Sequence, residues 1–203
     1  MGSMRYATIV PVAEPTFSFD AGRLSLDFLA TLSNRGSDAA VERWPVTASL
    51  GEWLMAAGLG PVAGVVRASD LATARRLREA ITATVYAAMS GGSASTEGVG
   101  VVNRAAEPAP RAARLVFEDG RFVSHRPARD VPEALSLIAR DAIDLVASSE
   151  VSLLRECEAK DCTGLYVDAS RGRRRRWCSA ARCGNRARVA AHRARARGSS
   201  PGA

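Results

Sequence analysis

Cys157 and Cys162 form one Cys-x4-Cys pair, Cys178 and Cys183 form a second, and the chain has no other cysteine. Fifteen residues separate the pairs. Four thiolates in two matched knuckles suit one tetrahedral Zn²⁺, with the intervening loop bringing the knuckles together. Such a centre carries a charge of −2, which neighbouring arginines offset. Other cysteine chemistry fits less well. Two disulfides call for a secretory signal, and none is recognisable in the sequence. A redox dithiol is usually Cys-x-x-Cys beside a βαβ unit, and the chain shows neither. An iron–sulfur cluster uses the same ligand type. His192, with four cysteines already present, reads as facing phosphate or solvent.

Charge concentrates around these cysteines. The 203-residue chain carries a net charge of +7. Residues 155–197 hold 13 basic residues, of which only Lys160 is not arginine, against Glu156, Glu158, Asp161 and Asp168. The remainder is close to neutral, so the basic segment is the informative feature. It points to a polyanion partner, most often nucleic acid. With 47% apolar and 24% charged residues, the composition is that of a globular protein. No apolar run reaches membrane-spanning length, so no membrane partner is expected. The expected location is cytoplasmic, associated with the nucleoid.

The elements that must position these groups divide the chain in two. We take residues 1–3 as an expression scar, 4–148 as a sensory or dimerising domain, 149–198 as the zinc-held module and 199–203 as a disordered tail. The first domain reads as mostly helical. A helix is predicted from Leu24 to about Asn34. A second starts at Ser49 as N-cap with Glu52 closing a capping box, and stops at Gly58. The strongest signal is 69–89, capped by Ser69 or Asp70, where Leu71, Ala74, Leu77, Ile81, Val85 and Met89 follow helical spacing. Helices are also predicted over 95–106 and 131–147. Between them, Asp119-Gly120 joins two apolar runs as a β-hairpin turn. Thr163 to Asp168 reads as a short strand. The fold class is therefore α+β, ending in a basic helix that Ser179 starts.

On an ideal helix Arg182, Arg186, Arg193 and Arg197 fall within about 60° of one another, beside a stripe of Ala187, Ala190 and Ala194. That row suits phosphates or guanine edges. The loop Arg173, Arg174, Arg175 and Arg176 suits a backbone clamp. Asn185 reads either as an adenine contact or as a brace for the knuckle, and Trp177 as packing. DNA is the first expected partner, with an RNA-binding or ribosome-associated role as the alternative. No catalytic residue is expected, because His125 stands without a partnered nucleophile. Asp27, Phe28, Thr31 and Trp53 are the candidate contacts for a small-molecule effector, and a homodimer is expected from the small reach of one finger.

Trp177-Cys178-Ser179 through Cys183-Gly184-Asn185-Arg186, followed by a basic helix to His192-Arg193, resembles the CGNR zinc finger. Cys157-x4-Cys162 with Leu165-Tyr166-Val167-Asp168-x-Ser170 matches it as well. Proteins with that finger commonly carry an N-terminal ABATE domain, whose motif resembles F-x-G-G-x-L-x-L-D-F-x-N-T. Phe19-Asp20-Ala21-Gly22-Arg23-Leu24-Ser25-Leu26-Asp27-Phe28-Leu29-Ala30-Thr31 is similar to it, with Ala21 in place of a Gly and Ala30 in place of the Asn. Arg188 stands where relatives usually have Lys. The resemblance implies a bacterial stress-induced transcription regulator with a zinc-stabilised DNA-binding module. Because metal binding is folding energy in so small a module, Cys183→Ser is expected to unfold it and abolish DNA binding, leaving the helical domain intact. Circular dichroism and gel shift check this, and DNA affinity that survives metal loss contradicts it.

Overall fold

The computed structural model describes residues 17–38, 40–160 and 162–198, without the side chains of 194 and 196–198. The scar and tail assignments, and the Arg197 side chain, lie outside it. The longest helix, α3 (Ala68–Ser90), turns Leu71, Ala74, Leu77, Ile81 and Val85 inward, as its periodicity predicts. Its cap differs from the expectation. Arg67 is the N-cap, and Asp70 sits at N3 accepting the Arg67 backbone N–H at 2.8 Å. Gly91, at φ +65°, ends the helix in the left-handed conformation. Helix α4 (Thr96–Ala106) is capped by Ser95. In α5 (Val131–Val146), Asp130 and Glu133 exchange backbone hydrogen bonds as a capping box. These three helices pack on one another, and α1 (Leu24–Leu29) lies against α3 and α5.

Helix α2 (Thr47–Ala56) starts two residues before the predicted cap, from an extended Val46. Ser49 is inside the helix and buried, so it caps nothing. Trp53 on α2 meets Phe28 and Trp44 at ring-centroid distances of 5.4 and 5.7 Å, and none of the three is exposed. This aromatic knot joins α1 to α2.

Helix α1 stops at Leu29 rather than near Asn34, because the chain turns into strand β1 (Leu32–Ser33), paired antiparallel with β2 (Val41–Glu42). A buried guanidinium holds that corner. Arg78 of α3 donates to Thr31 Oγ1 at 3.0 Å and to both Glu42 carboxylate oxygens, at 2.9 and 2.5 Å. Burial alone would raise the Glu42 pKa. The hydrogen bonds from Arg78 and the Trp44 N–H outweigh it and hold the carboxyl below its ordinary value.

Strands β3 (Arg114–Glu118) and β4 (Arg121–His125) form the predicted hairpin, with Asp119 and Gly120 both at positive φ. After α5 and a 3₁₀ turn, β5 (Leu154–Glu156) pairs antiparallel with β6 (Leu165–Val167). The described chain is thus α+β, with three two-stranded antiparallel sheets. Every residue of β6 is buried, and Leu154, Leu165, Tyr166 and Val167 join the same apolar core as the helices. The Val167 N–H donates to Ala21 O at 2.9 Å. The cysteine-bearing segment therefore shares its core with the helices. Independent survival of the helical domain is not what this packing supports.

Leu165→Ala is expected to destabilise the whole chain by about 2–5 kcal/mol, as truncation of a buried leucine does. Urea unfolding in a Trp177→Phe background, read by Trp44 and Trp53, checks it. A midpoint unchanged at those two tryptophans contradicts the shared core.

Candidate metal centre and the cavity beside it

Two tight turns aim the four sulfurs at one point. In the first, leading out of β5, the Cys157 N–H donates to Gly164 O at 2.9 Å and the Cys162 N–H to Ala159 O at 3.0 Å. In the second, Ser179 O accepts from the N–H groups of both Cys183 and Gly184, at 3.0 and 3.1 Å. That i−5 bond makes Ala180–Gly184 a π-helical turn, which runs directly into α6 (Asn185–Gly198). The four Sγ atoms lie within 4.8 Å of one another. Cys162 to Cys178 is 3.7 Å, and Cys183 is 3.6 Å from each.

A zinc–sulfur bond of ~2.3 Å implies a tetrahedral edge of about 3.8 Å, so the spacing fits one ion. It is far longer than a disulfide bond of ~2.05 Å, and all four cysteines are free. The backbone at Gly164 presses against the cluster: a Cβ there would lie 2.8 Å from Cys178 Sγ. Only glycine leaves the sulfurs that space. The thiols already share charge. Hydrogen bonding from Cys178 pushes the Cys162 thiol down to about 5, and the same bond pushes Cys178 up. Arg186 donates to Cys183 Sγ at 3.3 Å, which raises the Arg186 pKa.

The arginine loop is less uniform than its sequence. Asp168, buried at the end of β6, accepts from the backbone N–H groups of Ser170 and Arg175 and from the Ser170 hydroxyl. Arg175 turns inward. It stacks 4.4 Å over Tyr166 and donates to the carbonyls of Trp177, Cys178 and Asp20. Arg176 pairs with Glu158 at 2.6 Å and lies 4.9 Å over Trp177. Arg173 and Arg174 are exposed. Trp177 packs on Gly184, where a Cβ would meet its ring at 3.1 Å.

On α6, Arg188 and Arg193 are exposed. The π turn takes Arg182 off the ideal α-helical register that would align it with Arg193. Arg182, Asn185 and Arg186 instead line a cavity of about 430 Å³. Its other wall comes from the β1–β2 corner and α3. Sequence reasoning missed this cavity, because its two walls are far apart in the chain, with Tyr86 and Cys162 the nearest residues across it in sequence.

The four proposed effector contacts are core side chains. Asp27 accepts the Ala21 N–H at 2.9 Å, Thr31 Oγ1 donates to Phe28 O at 2.7 Å, and Phe28 and Trp53 belong to the aromatic knot. None of them lines the cavity. Burial, then the nearby Asp20 and Asp141 carboxylates, push the Asp27 pKa up to about 6 against the hydrogen bond from Ala21.

Residues 22–149, more than half of the chain, match the family model ABATE, described as "Putative stress-induced transcription regulator". Residues 154–196 match the CGNR zinc finger. No curated protein matches the chain. The zinc-finger match and the four-sulfur cluster together give the protein one structural zinc ion. Among the described residues no helix is long and apolar enough to cross a membrane.

Folded Asp27 keeps its proton to about pH 6, whereas the unfolded carboxyl releases it near 3.8. The folded state therefore binds more protons in that window and loses stability as pH rises through it, by about 2–3 kcal/mol. Asp27→Asn is expected to remove this decline. Urea unfolding of both proteins between pH 4 and 7 checks it, and parallel pH profiles contradict it.

Proposed function

Because the chain belongs to the ABATE family and carries a CGNR zinc finger, we propose that it is a transcription regulator that binds DNA through α6 and the exposed arginines before Trp177. Cys157, Cys162, Cys178 and Cys183 hold the zinc. The metal's part is to lock the two knuckles together, which sets the direction in which α6 leaves the protein. The observation that carries the reading is α6 itself: Arg186, Arg188, Arg193, Arg195 and Arg197 on 14 residues, with no acidic residue. A helix of this charge, with no carboxylate of its own, suits a phosphate backbone or a major groove.

Within this reading Arg173, Arg174, Arg188 and Arg193 contact phosphate, joined by Arg197 at the helix end. Arg175 and Arg176 act indirectly, by fixing the loop. Asn185 begins α6 next to the knuckle and has a base edge within its chemistry, since an amide pairs with adenine. One helix of this length covers about 21 Å, less than one ~34 Å turn of duplex. A homodimer presenting two such helices is the form we propose acts on the genome.

Fluorescence anisotropy of the zinc-loaded chain with duplex DNA, across a salt series, tests the reading. The logarithm of affinity should fall linearly with the logarithm of salt. Arg174→Gln and Arg193→Gln should each flatten the slope by roughly one unit, one phosphate contact apiece. Tighter binding to single-stranded or duplex RNA than to DNA favours the RNA role instead. No binding to any duplex at low salt overturns both the helix and the loop as a DNA surface.

A further inference from the structure

The cavity between the β1–β2 corner and the zinc module places arginines beside three cysteines of the metal centre, Cys162, Cys178 and Cys183. Arg35, Arg43, Arg182 and Arg186 line it, and among the described residues no Asp or Glu does. Two of the four are already neutralised. Arg35 pairs with Glu79, and Arg186 donates to the Cys183 sulfur, where it meets the negative charge of the metal-bound thiolates. Arg43 and Arg182 are different. Arg43 Nε is buried without a hydrogen-bond partner among the described residues. Burial, then the charge of Arg182, hold the Arg43 pKa below its ordinary value. A buried, unpaired N–H and two facing cations each cost free energy unless an acceptor of opposite charge lies between them.

We infer that this cavity binds a small phosphate-bearing molecule, with its phosphate between Arg43 and Arg182. Two guanidinium groups match the double charge of a phosphate better than the single charge of a carboxylate, and their planar forks suit its oxygens. The volume of about 430 Å³ is that of a small-molecule site and leaves room for an organic body beyond the phosphate. Thr163 on the same wall, whose hydroxyl oxygen accepts the Arg35 N–H, keeps its own O–H to donate to that body. The occupant would touch the β2 end of the helical domain and the π turn of the finger together. This inference stands apart from the DNA phosphate contacts proposed for Arg173, Arg174, Arg188 and Arg193, none of which lines the cavity.

Isothermal titration of the zinc-loaded full chain with inorganic phosphate at low ionic strength tests it. Saturable binding is expected. Arg43→Gln and Arg182→Gln should each weaken it by about tenfold or more, Arg43→Lys much less, and Arg114→Gln on the exposed hairpin not at all. Circular dichroism and zinc content establish that the variants fold. Should Arg43→Gln fail to fold, Arg182→Gln, on the less buried side, carries the comparison. A duplex DNA titration separates a free phosphate from a backbone phosphate: Arg43→Gln should leave DNA affinity unchanged where Arg174→Gln reduces it. The inference falls if wild-type protein shows no saturable phosphate binding. It falls also if both glutamine variants bind phosphate as wild type does, or if Arg43→Gln weakens DNA binding as much as Arg174→Gln.

Discussion

Four sulfurs held within 4.8 Å of one another are the constraint on which the C-terminal quarter depends. As thiolates they repel, and only a cation at their centre makes the arrangement favourable. From that point everything nearby inherits its position. One knuckle continues β5 and hands the chain to β6, while the other opens as a π turn and becomes α6. Gly164 is the close-packed wall between them. The centre is not an isolated bead, because Leu165, Tyr166 and Val167 are buried in the core built by α1, α3 and α5. Metal chemistry and hydrophobic packing hold opposite ends of the same short strand.

The two parts of the protein treat arginine differently. In the helical part, arginines are fixed by carboxylates: Arg78 by Glu42, Arg23 by Asp141 and Arg111 by Glu133. Such pairs order side chains across element boundaries more than they add stability, and the exposed ones contribute little. In the zinc-bearing part, arginines outnumber acids, and carbonyl oxygens and aromatic faces substitute for carboxylates. Arg175 is the clearest case, a cation that links Asp20 and Cys178 across the join and stacks on Tyr166. A run of four arginines thus divides into one inward strut, Arg175, one exposed arginine paired with Glu158, and two further exposed charges.

Features set by local chemistry were legible in the sequence. Asp119-Gly120 specifies its hairpin because both residues accept positive φ, and the spacing of α3 specifies its buried face. Paired cysteines specified the centre, since two matched Cys-x4-Cys knuckles supply four thiolates. What escaped depends on partners far away in the chain. The early end of α1 follows from the β1–β2 pairing and from Arg78, which reaches Thr31 from 47 positions away. Ser49 has the right identity for a cap but is buried inside α2, where tertiary packing set the helix start. Asp27, Phe28, Thr31 and Trp53 are the candidate effector contacts of the sequence. The structure spends them on the core, and opens its cavity next door, where Ala30 and Leu29 meet the finger.

The absence of acidic residues from α6 has a mechanical meaning. Arg193 and Arg197 are four residues apart on α6, and like charges at that spacing loosen a helix by a few tenths of a kcal/mol. The alanines between them supply intrinsic helix propensity that resists this. The helix is therefore a spring compressed by its own charge. Any polyanion laid along it, or salt in sufficient concentration, relaxes that repulsion, so the segment stiffens most when its charge is answered.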